Sequence, residues 1–260
     1  NKQLIAELDR ISNTTSFNGR NLLDGTLGSV DLQVGASSGQ TISFEISAMD
    51  SKNLGLGSTS ADLTGSRITY DGTTDVGQGN IVINGVGLKA ITNIGSATAA
   101  NTQLSEVLAD INENVEGVTA SGFNIVEAQA AGDGLIGATG GNSITITLGS
   151  VDGGQSVAYE ITNTTSMQNM VDQINEKAGG ALTASLNTNG RLVLSNTTGG
   201  TITVAENGTA AGATGITAAA YNGSIALKSE TGEAITVTAG ANGTDADLAV
   251  LGFRRTEGAG

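Results

Sequence analysis

The sequence predicts an α+β fold, predominantly β, built as an amphipathic helix plus a β-hairpin base followed by two β-rich modules. Each module carries one short helix, and the second module is inserted in the first. Three observations support this prediction. Apolar residues alternate in short runs, only a few segments have helical apolar spacing, and 39 of the 260 residues are Gly, about twice the usual ~7%.

The first 56 residues form the predicted base. Apolar residues at positions i, i+1, i+4 and i+7 between Leu4 and Ile11 indicate an amphipathic helix. Two alternating runs follow, Ser29–Val34 and Thr41–Ile46, joined by the small residues 35–39. This pattern predicts a β-hairpin with one apolar face.

Beyond residue 56 the chain contains a similar series of elements twice. The strand opening Gly79–Ile83 corresponds to Gly141–Ile146. A segment with apolar residues at i, i+3, i+4 and i+7 follows each opening and predicts a helix, and each helix ends in Ile-Asn, at 111–112 and at 174–175. A short strand comes after each helix, so the chain is predicted to hold two related modules.

The end of the repeat suggests how the modules are connected. The second copy closes with a predicted hairpin, Gly190–Leu194 with Thr201–Val204, which the first copy lacks at the equivalent place. A matching hairpin, Gly223–Leu227 with Ala234–Val237, comes later. A β module without its last strands would leave an unpaired sheet edge. We therefore predict that the second copy interrupts the first, with a linear tandem of three small units as the alternative.

Domain boundaries follow from this interpretation. Residues 1–56 form the base, which holds a helix end and the β-hairpin. Residues 57–130 and 215–255 form a proximal domain, and residues 131–214 form a distal domain inserted in it.

Composition excludes several classes of function. The chain has no His and no Cys, so it can form neither a Ser-His-Asp triad nor an imidazole or thiolate zinc site. We predict that the protein is not an enzyme and that it binds no cofactor. A net charge of −14 repels nucleic-acid phosphates and anionic lipids, so neither nucleic acid nor a membrane is an expected partner.

One pair of acidic residues invites comparison with a calcium loop. Asp245 and Asp247 lack the third oxygen donor, the central Gly and the final Glu of an EF-hand. Their position instead predicts the start of a short helix over 245–251, where acidic side chains favour the helix dipole. No metal site is predicted.

Three segments, Ile5–Gly19, Asn21–Gly25 and Val30–Ala36, resemble bacterial flagellin, in which they form the end of an N-terminal helix, a Phe-Asn-Gly turn and the hairpin of domain D1. The repeats resemble the flagellin hook IN motif of the variable region, although Ile-Asn-Gly at 83–85 is replaced by Ile-Thr-Leu at 146–148. The resemblance implies a fragment that contains part of D1, a D2-like proximal domain and a D3-like distal domain.

This resemblance implies a structural subunit of the bacterial flagellar filament, secreted and extracellular, that serves motility and forms an antigenic surface. Its partners would be other flagellin subunits. In the family, the Glu of a Glu-x-Asp-Arg sequence lies on the surface recognised by Toll-like receptor 5. The resemblance therefore implies receptor contact at Glu7, with Arg10 beside it. Binding by this stretch is expected to be weak, because the other receptor-contacting stretch of the family lies upstream of residue 1.

A secreted adhesin-like or carbohydrate-binding β module is the alternative function. Such a module needs exposed aromatic rings in a concave site for sugar stacking. The tyrosines Tyr70, Tyr159 and Tyr221 are scattered singly along the chain and supply such a site poorly. Among the 25 acidic residues, no spacing singles out a glycosidase-like pair.

Overall fold

The computed structural model describes residues 10–12, 14–17, 20–23, 29–33, 41–45, 62–69, 75–94, 102–137, 141–208 and 210–256. Among these residues, more lie in β-strands than in the few short helices, which confirms the predicted α+β, predominantly β class. The chain divides into two compact units, one made of residues 1–61 with 232–234 and the other of residues 62–231 with 235–260.

The described part of the first unit contains two antiparallel strand pairs. Their strands are β1 (Ser16–Phe17) with β2 (Arg20–Asn21), and β3 (Ser29–Gln33) with β4 (Thr41–Glu45). In the second pair, Val30 lies opposite Phe44 and Leu32 lies opposite Ile42. The alternate apolar positions of the two strands are therefore cross-strand neighbours, which confirms the strand pairing of the predicted hairpin.

The second unit holds the repeated elements. Its described strands are β5 (Leu63–Arg67), β6 (Ile81–Ile83), β7 (Val86–Gly87), β8 (Val118–Glu127), β9 (Ser143–Leu148), β10 (Val157–Ile161), β11 (Thr183–Leu186), β12 (Leu192–Asn196), β13 (Ile202–Asn207), β14 (Ala219–Tyr221), β15 (Ser224–Ser229) and β16 (Val237–Ala239). Its described helices are α1 (Leu104–Asn114), α2 (Met167–Ala178) and α3 (Asp245–Val250). None of the helices within the described ranges has the length and apolarity needed to span a bilayer.

These strands form three antiparallel sheets. Their strand orders are β11-β12-β8-β15-β5, β10-β9-β13-β14 and β16-β6-β7. Strand β8 is the central strand of the first sheet, and its two halves have different neighbours. Residues 118–123 pair with β15, and residues 124–127 pair with β12. One strand therefore carries the chain directly from one set of repeated elements into the other.

The side chains of this unit pack into two hydrophobic cores. One core gathers residues from 68–120 and 225–253, whereas the other gathers residues from 126–216. Helix α1 packs on β8 beside the first core and α2 packs on β11 beside the second. Ile111 and Ile174, one on each helix, are fully buried. The three-to-four spacing of apolar residues seen in the sequence is what turns one face of each helix inward.

The main elements of the two sets correspond. Strands β6 and β7 match β9 and β10, helix α1 matches α2, and β8 matches β11 in its place after the helix. In the second set, β12 pairs with β11 and β13 pairs with β9. In the first set, the equivalent partners are β15 with β8 and β16 with β6, so they come from the chain after residue 220.

The two closing hairpins predicted from the sequence do not form. Strands β12 and β13 lie in different sheets, and so do β15 and β16. Leu194 of β12 and Val204 of β13 are nevertheless buried in the same core, as are Ile225 and Val237 in the other. The chain therefore turns across a core between facing sheets. An alternating apolar pattern is compatible with this arrangement as well as with a hairpin.

Candidate functional site

The two receptor-contact residues implied by the resemblance belong to the first helical segment. Glu7 lies outside the described residues. Arg10 lies in the helical segment described over residues 10–12 and is exposed. Its carbonyl accepts a hydrogen bond from the Thr14 hydroxyl at 2.6 Å, so Arg10 lies on the surface of a locally ordered turn.

Asp245 and Asp247 act at a helix end. The Thr244 hydroxyl accepts the backbone N–H of Asp247 at 3.3 Å, and Oδ2 of Asp247 accepts the N–H of Thr244 at 2.7 Å. This reciprocal pair is a capping box. Oδ1 of Asp245 lies 2.9 Å from Nη2 of Arg255. Within the described ranges, no group of three or more acidic side chains is arranged to hold a metal ion.

The Asn that follows the buried Ile in each repeated helix makes the same contacts in both copies. Oδ1 of Asn112 accepts the N–H of Ala120 at 2.6 Å, and its Nδ2 donates to the carbonyl of Ala120 at 3.1 Å. Asn175 makes the same two bonds with Ala184, at 2.7 and 2.9 Å. Each side-chain amide therefore pairs with one residue of the following strand much as a neighbouring strand does.

Arg67 on β5 contacts both strands that join the two sets of elements. Its Nη1 donates to Oδ1 of Asn124 at 2.8 Å and its Nη2 donates to the carbonyl of Ile125 at 2.7 Å, where β8 passes between the cores. Nη1 also donates to the carbonyl of Asn222, and the guanidinium lies 5.4 Å from the ring centre of Tyr221, where the chain returns. Partial burial lowers the pKa of Arg67, and Tyr221 opposes this shift. The guanidinium stays charged at neutral pH.

Two buried asparagines lie at the same junction. Nδ2 of Asn124 donates to the carbonyls of Gly200 at 2.9 Å and Tyr221 at 2.7 Å. Nδ2 of Asn196 donates to the same Gly200 carbonyl at 2.9 Å, and its Oδ1 accepts the N–H of Gly199 at 2.8 Å. Because a buried amide is stable only with its partners in place, these bonds fix one arrangement of the junction.

Glycines allow the backbone segments to approach closely here. A β-carbon on Gly223 would lie 2.0 Å from the carbonyl oxygen of Gly199, and one on Gly122 would lie 2.3 Å from that of Thr198. Both distances are far shorter than any carbon–oxygen contact that packing tolerates. Some of the many glycines in the sequence are therefore required by contact between segments distant in the chain.

The described tyrosines do not form an exposed platform for a sugar. Tyr159 pairs with Ile146 and Tyr221 pairs with Ile202, at opposite edges of one sheet. Both rings are partly buried against the second core. Tyr70 lies outside the described residues. The alternative of a carbohydrate-binding module thus gains no support from Tyr159 or Tyr221.

Comparison with known proteins finds similarity to flagellins. A sequence model of the flagellin hook IN motif matches residues 143–198. Flagellin B of Helicobacter pylori (strain J99) is 28% identical over 217 residues, which cover 78% of this chain and 40% of that protein. Flagellin A of Helicobacter felis is 35% identical over 132 residues, which cover 50% of this chain and 25% of that protein. Most of the chain is therefore similar in sequence to bacterial flagellins.

The chain spans less than half the length of these two curated relatives. Among solved structures, FliC from Burkholderia pseudomallei is similar at 27% identity over 35% of each chain, with a TM-score of 0.19. The motif match runs from β9 past β12 and lies within the second set of elements. In the first set, the strand equivalent to β12 is β15, which comes after residue 220. The first set is therefore not contained in one continuous stretch of sequence.

Proposed function

We propose that this chain is the outer part of a flagellin that serves as a structural subunit of the bacterial flagellar filament. The observation that carries the proposal is the alignment of 78% of the chain with a flagellin, supported by the hook IN motif over residues 143–198. The mechanism is geometric: the β-rich modules stand on the filament exterior and form its antigenic surface. Their net charge of −14 favours solubility and keeps neighbouring surfaces apart.

The proposal assigns a partial D1 to residues 1–56, a D2-like proximal domain to residues 57–130 with 215–255, and an inserted D3-like domain to residues 131–214. The two separate cores support this division. So does the pairing of β15 and β16 with strands of the first set. The contacts of Arg67 with both connecting strands support a distal domain that is held by two connections.

Localisation and partners follow from the same role. We propose that the protein is secreted, lies outside the cell and assembles with other flagellin subunits. The flagellin family is a structural one, and the proposed function requires no catalytic activity and no cofactor. The capping role of Asp245 and Asp247 accords with this, because it gives a structural use to the acidic pair closest to a calcium-loop pattern.

We further propose that Glu7, with Arg10 beside it, contacts Toll-like receptor 5. The Glu-x-Asp-Arg sequence and the exposure of Arg10 support this assignment. A receptor reporter assay on the complete flagellin tests it, with Glu7→Ala compared with the exposed helix residue Glu176→Ala. We expect a reduced signal for Glu7→Ala alone, and equal signals from both variants would contradict the assignment.

Filaments sheared from the bacterium that encodes the chain test the main proposal. We expect the tryptic peptide of residues 192–228, which crosses from the second set of elements back to the first, in the mass spectrum of washed filaments. Antibodies raised against the chain should label the filament along its whole length. Filaments that lack this peptide, or labelling confined to the cell body, would contradict the proposal.

A further inference from the structure

We propose that Asn112 and Asn175 block sheet edges. Each side chain occupies the hydrogen-bonding position through which a second copy of this chain would add a strand. The inference goes beyond the proposed function because it concerns a contact that the fold prevents.

Strand β11 shows the arrangement most clearly. It is the terminal strand of the five-stranded sheet and pairs with β12 on one side. In an antiparallel pair, the N–H and carbonyl of a residue point together toward the neighbour or together away from it. Ala184 gives both groups to Asn175, at 2.7 and 2.9 Å, so both point to the outer edge. The amide therefore fills the two-bond position that an incoming strand requires.

Strand β8 repeats the arrangement over its first half. Residues 118–123 have β15 on one side, whereas β12 joins the other side only from residue 124. Ala120 lies in this half-covered stretch, and Asn112 bonds its N–H at 2.6 Å and its carbonyl at 3.1 Å. The same side chain thus closes an equivalent edge in each copy of the repeat.

Backbone segments close other edges of this unit. The N–H of Ser66 on β5 donates to the carbonyl of Gly252 at 2.7 Å. On β16, the carbonyl of Val237 accepts the N–H of Thr256 at 2.9 Å, and the N–H of Val237 donates to the Thr256 hydroxyl at 2.8 Å. The two asparagines differ from these contacts because one substitution removes the side-chain bonding groups while leaving the backbone in place.

Charge alone does not prevent strand addition. Salt at physiological strength screens charges beyond about 8 Å, so the net charge of −14 opposes approach mainly at short range, and it leaves the bonding groups of a strand edge unfilled. The biological value of the blocked edges rests on the proposed function, since subunits of a filament are crowded together. The blocking itself is a property of the isolated chain, and its test is independent of filament assembly.

The test uses the full 260-residue chain with Asn175→Ala and, as matched control, Asn114→Ala. Nδ2 of Asn114 bonds to Asp110 of its own helix, at 2.8 and 3.0 Å. We expect Asn175→Ala to keep its circular dichroism and to exchange the Ala184 amide proton about tenfold faster or more, as loss of one hydrogen bond predicts. In sedimentation velocity it should associate with rising protein and salt concentration, whereas Asn114→Ala should sediment like the parent chain.

A second variant keeps the test decisive if Asn175→Ala does not fold. Asn175→Asp retains the size of the side chain and the oxygen that accepts from Ala184, but it loses both N–H donors. It should open the Ala184 carbonyl and associate more weakly than Asn175→Ala, because it adds a charge at the edge. A folded variant at position 175 that sediments like the parent chain at every salt concentration would overturn the proposal. Equal association by Asn114→Ala would overturn it as well.

Discussion

The two copies of the repeat build similar cores from differently connected chain. The second core draws on the continuous stretch 126–216, whereas the first draws on 68–120 and 225–253. The first core is therefore completed by strands that arrive only after the second copy has been traversed. We infer from this difference that the first copy depends on the second, because the entropic cost of bringing β15 and β16 to their partners is low only while the intervening segment holds its ends together.

Core substitutions should show this dependence with the largest effect. Ile111 and Ile174 are both fully buried at equivalent places on α1 and α2, so replacing either with Ala should lower the free energy of unfolding by about 2–5 kcal/mol. We expect Ile174→Ala to speed amide exchange in both β9 and β6, because an unfolded insertion becomes a long loop whose closure has an entropic cost. Ile111→Ala should speed exchange in β6 and leave β9 protected.

The two variants should differ in how they change amide exchange in β9. If Ile111→Ala opened β9 as strongly as β6, the second copy would depend on the first as much as the reverse. The proposed order of dependence would then be wrong.

The first turn of each copy offers a smaller, more local comparison. Asn84 and Gly85 have φ angles of 47° and 83° and form the tight turn between β6 and β7. At the matching place in the second copy, Thr147 and Leu148 continue β9 as a strand. Asn84→Ala should cost about 1–2 kcal/mol, since Ala adopts positive φ less readily and the Asn84 Oδ1 bond to the N–H of Thr236 is lost.

Urea denaturation of the two variants measures this difference. Thr147→Ala, on the partly exposed face of a strand, should change the free energy of unfolding by about 0.5 kcal/mol or less. A larger loss for Thr147→Ala than for Asn84→Ala would show that the turn is not what distinguishes the two copies.

The smallest effect concerns the connection between β9 and β10. A hydrogen bond from the Ser150 hydroxyl, and a second from the N–H of Gly154, lower the pKa of Asp152. A carboxylate with a lowered pKa stabilises the folded state above its unfolded-state pKa, and this contribution disappears as the pH falls through its folded-state pKa. Ser150→Ala should therefore raise the Asp152 pKa toward its ordinary value, whereas Ser156→Ala should leave it unchanged.

NMR titration of the Asp152 carboxyl carbon checks this prediction. Because the carboxylate is exposed to solvent, the effect on stability should be small. An unchanged Asp152 pKa in Ser150→Ala would show that the hydroxyl bond does not persist in solution.

Local patterns in the sequence predicted the local elements. The apolar spacing that predicts α1 places Leu104, Val107 and Ile111 inward, and all three are buried. Alternation likewise predicted the pairing of β3 with β4. The predicted pairing of β12 with β13, and of β15 with β16, was wrong for a physical reason. An apolar stripe shows that a strand faces a core but not which of the facing sheets it joins.

The contacts of the candidate site could not be predicted from such local patterns. Arg67 reaches Asn124, 57 residues away, and nothing local in a polar strand marks that contact. Asn175 was noticed only as the end of a repeated helix, because its bond to Ala184 depends on how the next strand folds back. Of the residues implied by resemblance, Arg10 is on an exposed turn, and receptor contact at Glu7 stays a prediction.

Cysteine pairing tests the central claim, the insertion of the second copy into the first, most directly, because the chain contains no Cys of its own. Val82→Cys with Thr238→Cys joins register partners on β6 and β16, and Thr147→Cys with Thr203→Cys joins the equivalent partners on β9 and β13. The nested arrangement predicts that mild oxidation forms both intramolecular disulfides in similar yield. A folded chain that forms the 147–203 disulfide but not the 82–238 disulfide would contradict it and favour a linear tandem.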